Sequence, residues 1–325
     1  MTNEKNSRLG IVLSTVTDAP PQEFVEIGQL AEANGYTSVF VNEGRGDAIA
    51  CAEAIALGTE KINTGTNIAN IYFRHPFLAA SSTRIVAELS EGRFILGLGM
   101  SHRSLLGSLG IDMGDARTRL KGYAKSVRDA LRGEAGSGIL KQPASRYPAP
   151  VYVAGNTVES AAVAGEIGDG LMPYLTPVSH LSTLIDAANN ARADASRDTQ
   201  EFGCILSIPT FVSEDEAAAR SAARYNLAFF AQLPNYRRQW RRAGFKTAMD
   251  SLQEILKTGT RKEAAKQIPE ELIDEVCLFG TPTRCRRQLQ AFRDAGVDEP
   301  LLAVSPVNED RLGATRKAIT TLAPG

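Results

Sequence analysis

Along this chain, short unbroken apolar runs alternate with longer stretches in which apolar residues recur at helical spacing. The short runs are rich in β-branched residues and bounded by Gly, Ser or Asn, which is the pattern of buried strands. They fall at Leu9–Ser14, Ser38–Asn42, Ile62–Ile68, Phe94–Gly99, Val151–Ala154, Gly170–Leu175, Cys204–Val212 and Leu301–Ser305. Between them, Gln22–Asn34 puts Phe24, Val25, Ile27, Leu30 and Ala31 on one face and stops at Gly35, as helices do. Asp47–Leu57, Pro76–Leu89, Ala116–Leu131, Val158–Ile167 and His180–Ala195 follow the same spacing. The last crossover is longer, with helical patterns at Glu214–Phe230, Asn235–Ala243, Lys246–Lys257, Pro269–Val276 and Thr283–Ala295, and Asp310–Leu322 closes the chain.

Eight strands alternating with helices predict an α/β fold, specifically a (β/α)8 TIM barrel. A doubly wound open sheet is the competitor. It is disfavoured because Ser14-Thr15-Val16-Thr17-Asp18-Ala19-Pro20, with no G-x-G-x-x-G, follows the first strand. Residues 1–325 read as one barrel domain, with 213–282 as a helical insertion after the seventh strand that covers the mouth. The Gly-, Ser- and Pro-rich stretch Arg132–Pro150 reads as an irregular excursion inside that domain.

Composition narrows the class. With 43% apolar and 22% charged residues the chain has enough apolar material for a full core. Its net charge of −1 supplies no field to attract nucleic acid or an anionic membrane. The cluster Arg237-Arg238-Gln239-Trp240-Arg241-Arg242 breaks that balance, either as a solvated helix face or as a rim that attracts an anion. Cys51, Cys204, Cys277 and Cys285 form no C-x-x-C pair, and His75, His102 and His180 are too scattered for a zinc site. No metal is expected, and the thiols read as reduced ones in a cytoplasmic protein. The first ten residues carry no signal-like apolar run, and no apolar stretch is long enough to span a bilayer.

Candidate chemistry gathers at strand ends, where barrels bind ligands. The third strand ends in Thr66-Asn67-Ile68 and the fourth in Gly97-Leu98-Gly99-Met100-Ser101, small or polar residues suited to close approach of a planar group. Asn42-Glu43 ends the second strand. Glu43 is the first candidate for a proton donor or acceptor, with N-capping or pairing with Arg45 as the structural alternative. His102 and Tyr72 are weaker candidates for that role, and His75 reads equally well as a helix cap. Ala154-Gly155-Asn156-Thr157 leads from the fifth strand into a helix whose N-terminus suits a phosphate, and Asn156 or Thr157 also suits an N-cap. Met172, Pro173 and Tyr174 top the sixth strand beside a flat ligand. Phe229, Phe230, Tyr236 and Trp240 are either apolar walls of a substrate slot or ordinary helix packing. The chain has no P-loop, G-x-S-x-G, H-E-x-x-H or Cys–His signature. Few free acid–base groups at a barrel mouth point to a cofactor that brings its own reactivity.

Four segments carry a resemblance: GYTSVFVNEGRGDA (35–48), INTGTNIANIYFRHP (62–76), ELSEGRFILGLGMS (88–101) and VYVAGNTVESAAVAGEIGDGLM (151–172). On these the chain resembles the luciferase-like flavin/deazaflavin oxidoreductases, and most of all the methylenetetrahydromethanopterin reductase branch, which uses coenzyme F420. The resemblance implies a cis peptide at Asn67–Ile68 that supports the cofactor ring; that branch often has Gly where Asn67 stands. It implies that Gly99-Met100-Ser101 and Gly155-Asn156-Thr157 hold the ribityl and phosphate parts. The branch point at the second strand often carries a His; Asn42-Glu43-Gly44 does not, which removes an imidazole base from that place. The implied activity is F420-dependent hydride transfer to or from a C=N, C=C or carbinol carbon of a small molecule, in a homodimer. An FMN-dependent monooxygenase is the alternative on the same barrel, and a non-catalytic flavin-binding relative is a second.

Overall fold

The computed structural model describes residues 8–16 and 19–324; residues 1–7, read above for a signal, lie outside it. Eight parallel strands close into a barrel. They are β1 (Gly10–Ser14), β2 (Ser38–Asn42), β3 (Asn63–Thr66) continued by β4 (Ala69–Asn70), β5 (Phe94–Gly99), β6 (Val151–Ala154), β7 (Gly170–Met172), β8 (Gly203–Val212) and β10 (Glu299–Val304). Closure comes from β10, which pairs with β8 on one side and β1 on the other. The predicted barrel, with its helical insertion after the seventh barrel strand, is the observed fold.

Two layers of apolar packing follow from strand alternation. Outward residues such as Val39, Val41, Leu96 and Val153 meet the surrounding helices in one large core. Inward residues Phe40, Met172, Ile205 and Leu301 fill the barrel, with Val12, Ile68, Ile95 and Tyr152 against them. At the strand starts, buried Glu299 accepts hydrogen bonds from Thr37 (2.7 Å) and Ser38 (2.6 Å), so this carboxylate belongs to the barrel floor. The turn reading of Gly168-Asp169-Gly170 also holds: Asp169 accepts from Val151 N (2.9 Å) and Arg197 (2.8 Å) below the strands.

Two differences from the sequence reading shape the site. The third strand is not continuous over Ile62–Ile68. Gly65 lies opposite Ile95 while Ala69 lies opposite Leu98, so four residue steps run beside three: a one-residue bulge at Asn67–Ile68, whose peptide bond is cis as the resemblance implied. In addition, Leu278–Gly280 forms a short strand, β9, beside the upper end of β8 (Thr210–Val212). Three residues between two helical patterns are too few to show a period, which is why they escaped notice.

Between β8 and the helix Pro282–Asp294 lie five α-helices, Glu216–Ala231, Pro234–Trp240, Lys246–Thr258, Arg261–Ala265 and Glu270–Val276, with a π-helical turn, Arg241–Phe245, joining the second to the third. They enclose their own apolar cluster, centred on Trp240, Phe211, Leu227, Met249 and Phe279. Among the described residues no helix is long and apolar enough to cross a membrane, and no group of His, Cys, Asp and Glu is placed to hold a metal. All four cysteines are free.

Candidate active site at the barrel mouth

The C-terminal strand ends open into one cavity of about 1880 Å³. Of the residues singled out in the sequence, Asn42, Glu43, Asn67, Ile68, Met100, Ser101, His102, Ala154, Gly155, Asn156, Thr157 and Tyr174 all line it. Five different strand ends bring them together, which is what a barrel does with strand-end residues.

The bulge is held from β2. Asn67 N donates to Val41 O (2.8 Å), the Asn42 side-chain amide donates to Asn67 O (3.1 Å), and Glu43 N donates to Ile68 O (3.4 Å). The Glu43 carboxylate then accepts from Asn70 N (2.5 Å) and pairs with both guanidinium nitrogens of Arg74. Its side chain is only 3% exposed and that of Arg74 only 9%. Arg74 also reaches Asp47 (3.0 Å), the N-cap of the helix Ala48–Leu57. The structure therefore gives Glu43 a positioning role, with Arg74 rather than Arg45 as its partner. Both of its oxygens accept from donors that fix the segment 67–74.

Three further readings change with position. Tyr72 lies outside the mouth cavity, in a small separate pocket with Pro76, Arg119 and Tyr123; its hydroxyl donates to Met113 O (2.7 Å). Thr66 is fully buried, its hydroxyl exchanging hydrogen bonds with Gly97 O (2.8 Å) and Gly97 N (3.0 Å). Gly99 is covered as well. A Cβ there would sit 2.5 Å from the Ile68 side chain, and one on Gly97 would sit 2.0 Å from Thr66 O. These glycines make room for the bulge rather than for a ligand, since the extra residue pushes the third strand onto β5. His75 is the cap of its helix, accepting from Phe77 N at 3.2 Å.

His102 faces the cavity and packs edge-on against Tyr236, ring centroids 5.5 Å apart. Burial lowers its pKa below the ordinary histidine value, opposed by a hydrogen bond with Asn235. Thr157 and Ser160 form a capping box at the start of the helix Val158–Ile167. Asn156 does not point to a ligand through Oδ1, which accepts from Tyr174 N (2.8 Å) and so ties two strand ends together. Hydrogen bonds from the Thr157 side chain and its own N–H lower the pKa of Glu159, so a carboxylate already sits at this helix N-terminus.

The signal that sequence reading missed is charge. Arg45, Arg103, Arg117, Arg238, Arg261 and Arg311 line the cavity, against Glu43 and Asp115 as the acids among the described lining residues. Glu43 is paired, and Asp115 caps the helix Ala116–Leu131. Arg238 belongs to the basic cluster read above as a solvated face or an anion-attracting rim; the other five are single residues from separate segments, so no window of sequence shows the excess. A chain of net charge −1 thus concentrates cations at its mouth.

Comparison with known proteins agrees with this architecture. The family model described as luciferase-like monooxygenase matches residues 7–299. A Mycobacterium tuberculosis protein described as a candidate coenzyme F420-dependent oxidoreductase is 27% identical over 90% of this chain and 94% of its own length. The 5,10-methylenetetrahydromethanopterin reductase of Methanolobus tindarius is 24% identical over 91% of this chain and 94% of its own. The F420-dependent tetrahydromethanopterin reductase of Methanopyrus kandleri superposes with a TM-score of 0.80 at 20% identity, covering 98% of both chains. The chain belongs to the luciferase-like family of barrel oxidoreductases.

Proposed function

We propose that this protein is a coenzyme F420-dependent oxidoreductase that passes a hydride between the deazaflavin C5 and a carbon of a small organic substrate. The observation that carries the reading is the cationic mouth: six arginines face a cavity whose described acids are both engaged. F420 carries a phosphate and a tail of glutamates, so such a lining favours it over a ligand with a single anionic group. The relatives named for F420 chemistry point the same way.

The residues present fit the cofactor. The bulge at Asn67–Ile68 lines the cavity and is held from β2 by hydrogen bonds to Asn42 and Glu43. Gly155 admits no side chain, a Cβ there lying 3.0 Å from Ala161 N, so backbone alone borders the cavity at the start of the helix Val158–Ile167. There Arg117 and the helix N-terminus are the groups for a phosphate. When bound, the deazaflavin supplies the two-electron chemistry. The chain orients it, excludes water with the aromatic residues of the insertion, and holds the substrate beneath the 213–282 segment. The exposed face of the helix Pro76–Leu89, with Leu78, Ile85 and Leu89, is the surface proposed for a homodimer.

The family description supports an FMN-dependent monooxygenase as the second reading. One titration separates the two. Purified protein is titrated with F420 and with FMN, following quenching of cofactor fluorescence. Tight F420 and weak FMN binding supports the proposal. The reverse preference replaces it with the monooxygenase, and binding of neither leaves the non-catalytic relative.

A further inference from the structure

Two phenols in the mouth cavity have no work in the structure. Tyr174 follows β7, and Tyr236 lies on the helix Pro234–Trp240 of the insertion. Their rings meet edge to face, centroids 6.1 Å apart, and Phe230 packs against both at 5.5 and 5.2 Å. Their meeting is enforced. The Gln239 side-chain amide donates to Tyr174 O and Leu175 O (both 3.1 Å) and to the Thr176 hydroxyl (2.9 Å), and Trp240 Nε1 donates to Leu175 O (2.9 Å). One helix turn after Tyr236, this latch clamps the insertion onto the end of β7. Among the described residues no hydrogen bond engages either phenol oxygen, and neither is among the buried oxygens shut off from solvent, so each hydroxyl reaches the cavity. Water in the cavity serves these hydroxyls until a ligand oxygen takes its place.

Resting on the F420 reading above, we propose that Tyr174 and Tyr236 are a donor pair for the oxygen of a planar α,β-unsaturated carbonyl substrate, and that one of them is the catalytic proton donor. The edge-to-face walls of Phe229 and Phe230 suit a flat, neutral, conjugated molecule. The hydride leaves the reduced deazaflavin, which is thereby oxidised by two electrons, and forms the new C–H bond at the β-carbon. The C=C electron pair moves to make the C=C of an enolate, and the carbonyl pair moves to oxygen. A phenol O–H bond breaks and its proton joins that oxygen, giving an enol that becomes the saturated ketone in water. Water entering through the open mouth reprotonates the phenolate. Burial raises the pKa of both tyrosines, Tyr236 well above the ordinary value, so both enter the reaction protonated. This assignment fills the place that Glu43 leaves empty.

The test uses the protein loaded with oxidised F420, so that no turnover occurs, and cyclohex-2-enone carrying a 13C carbonyl. Isotope-edited infrared difference spectra report the carbonyl stretch of the bound probe. Two phenol donors are expected to move it below its frequency in water. Tyr236→Phe and Tyr174→Phe each remove part of that shift and weaken binding about fivefold, the scale of one neutral hydrogen bond; together they abolish the shift. Circular dichroism and thermal unfolding of the variants check folding. A probe that does not bind, binds unshifted, or keeps its shift in the folded double variant overturns the proposal. Failure of the cofactor reading is seen separately, as absence of F420 quenching in the unsubstituted protein; the infrared experiment is then run on the protein alone.

Discussion

Replacing Glu43 with Gln separates a positioning carboxylate from a catalytic one. The carboxylate is 3% exposed and faces a guanidinium that is 9% exposed, so water cannot compensate when the charge is removed. Leaving one partner of a buried ion pair alone costs about 3–5 kcal/mol. Two structural details set where in that range this site falls. The variant amide keeps one oxygen for Asn70 N or for Arg74, but its NH2 then faces the other donor. Asp47 still pairs with Arg74 at 3.0 Å, yet it is half exposed and offsets no more than about 1 kcal/mol. The expected loss is therefore about 3 kcal/mol, and for a chain of this length a fall in Tm of about 4–5 °C.

The assays are equilibrium urea unfolding and F420 titration. Glu43→Gln is expected to shift the urea midpoint and to weaken F420 binding about tenfold, because the segment 67–70 at the cavity floor loses its anchor. Arg74→Met alone is expected to cost at least as much. The pair of substitutions together is expected to cost less than the two summed, since the second removes a charge already left unpaired. A Glu43→Gln protein with unchanged stability and unchanged F420 affinity, deficient only in turnover, would refute this reasoning and restore Glu43 as an acid–base group.

Three other outcomes are expected. Glu159→Gln removes the anion that competes for the N-terminus of the helix Val158–Ile167 and should tighten binding of a phosphate-bearing cofactor by about threefold; weaker binding in a titration would place the phosphate elsewhere. Raising salt from about 50 to about 500 mM should weaken F420 binding about tenfold and FMN binding less, since only the glutamate tail adds charge for the arginine lining to hold; equal salt slopes would remove the tail from that lining. Leu78→Glu with Ile85→Glu, at positions 56% and 43% exposed on one helix, should convert a dimer to a monomer in size-exclusion chromatography with light scattering and leave its fold intact by circular dichroism; an unaltered dimer would move the interface to another face.

The barrel was legible because its strands are buried on both faces and so read as continuous apolar runs. The residues at strand ends were legible for the same reason: a barrel sends them all to one mouth, whatever their order in the chain. What each does there was not legible. Glu43 reads as a free carboxylate until Arg74, thirty-one residues later, is folded against it. Gly97 and Gly99 read as space for a ligand until the bulge is seen to occupy that space. In both cases the deciding neighbour comes from the third strand or the turn just after it, and the strand's extra residue changes register without changing the apolar pattern. The cation excess and the phenol pair depend on residues from both the barrel and the insertion, and no local window contains both.

The two halves of the site answer to different constraints. The floor is made of barrel residues whose packing is mutually dependent: Glu43, Asn42, the bulge, Gly99 and Thr66 each hold another in place, so a change at one propagates to the rest. The roof is the insertion, which has its own apolar cluster and meets the floor through a latch of few bonds, Gln239 and Trp240 on residues 174–176. Residues of the roof that line the cavity outside that cluster, such as Phe229 and Arg238, can change without disturbing it or the bulge. Cofactor choice should therefore respond to substitutions in the floor and at the arginine rim, and substrate choice to those in the roof. Tyr236 belongs to the roof and Tyr174 to the floor. A donor pair built from one of each is the place where the two choices meet, and the latch beside it is what keeps the pair together.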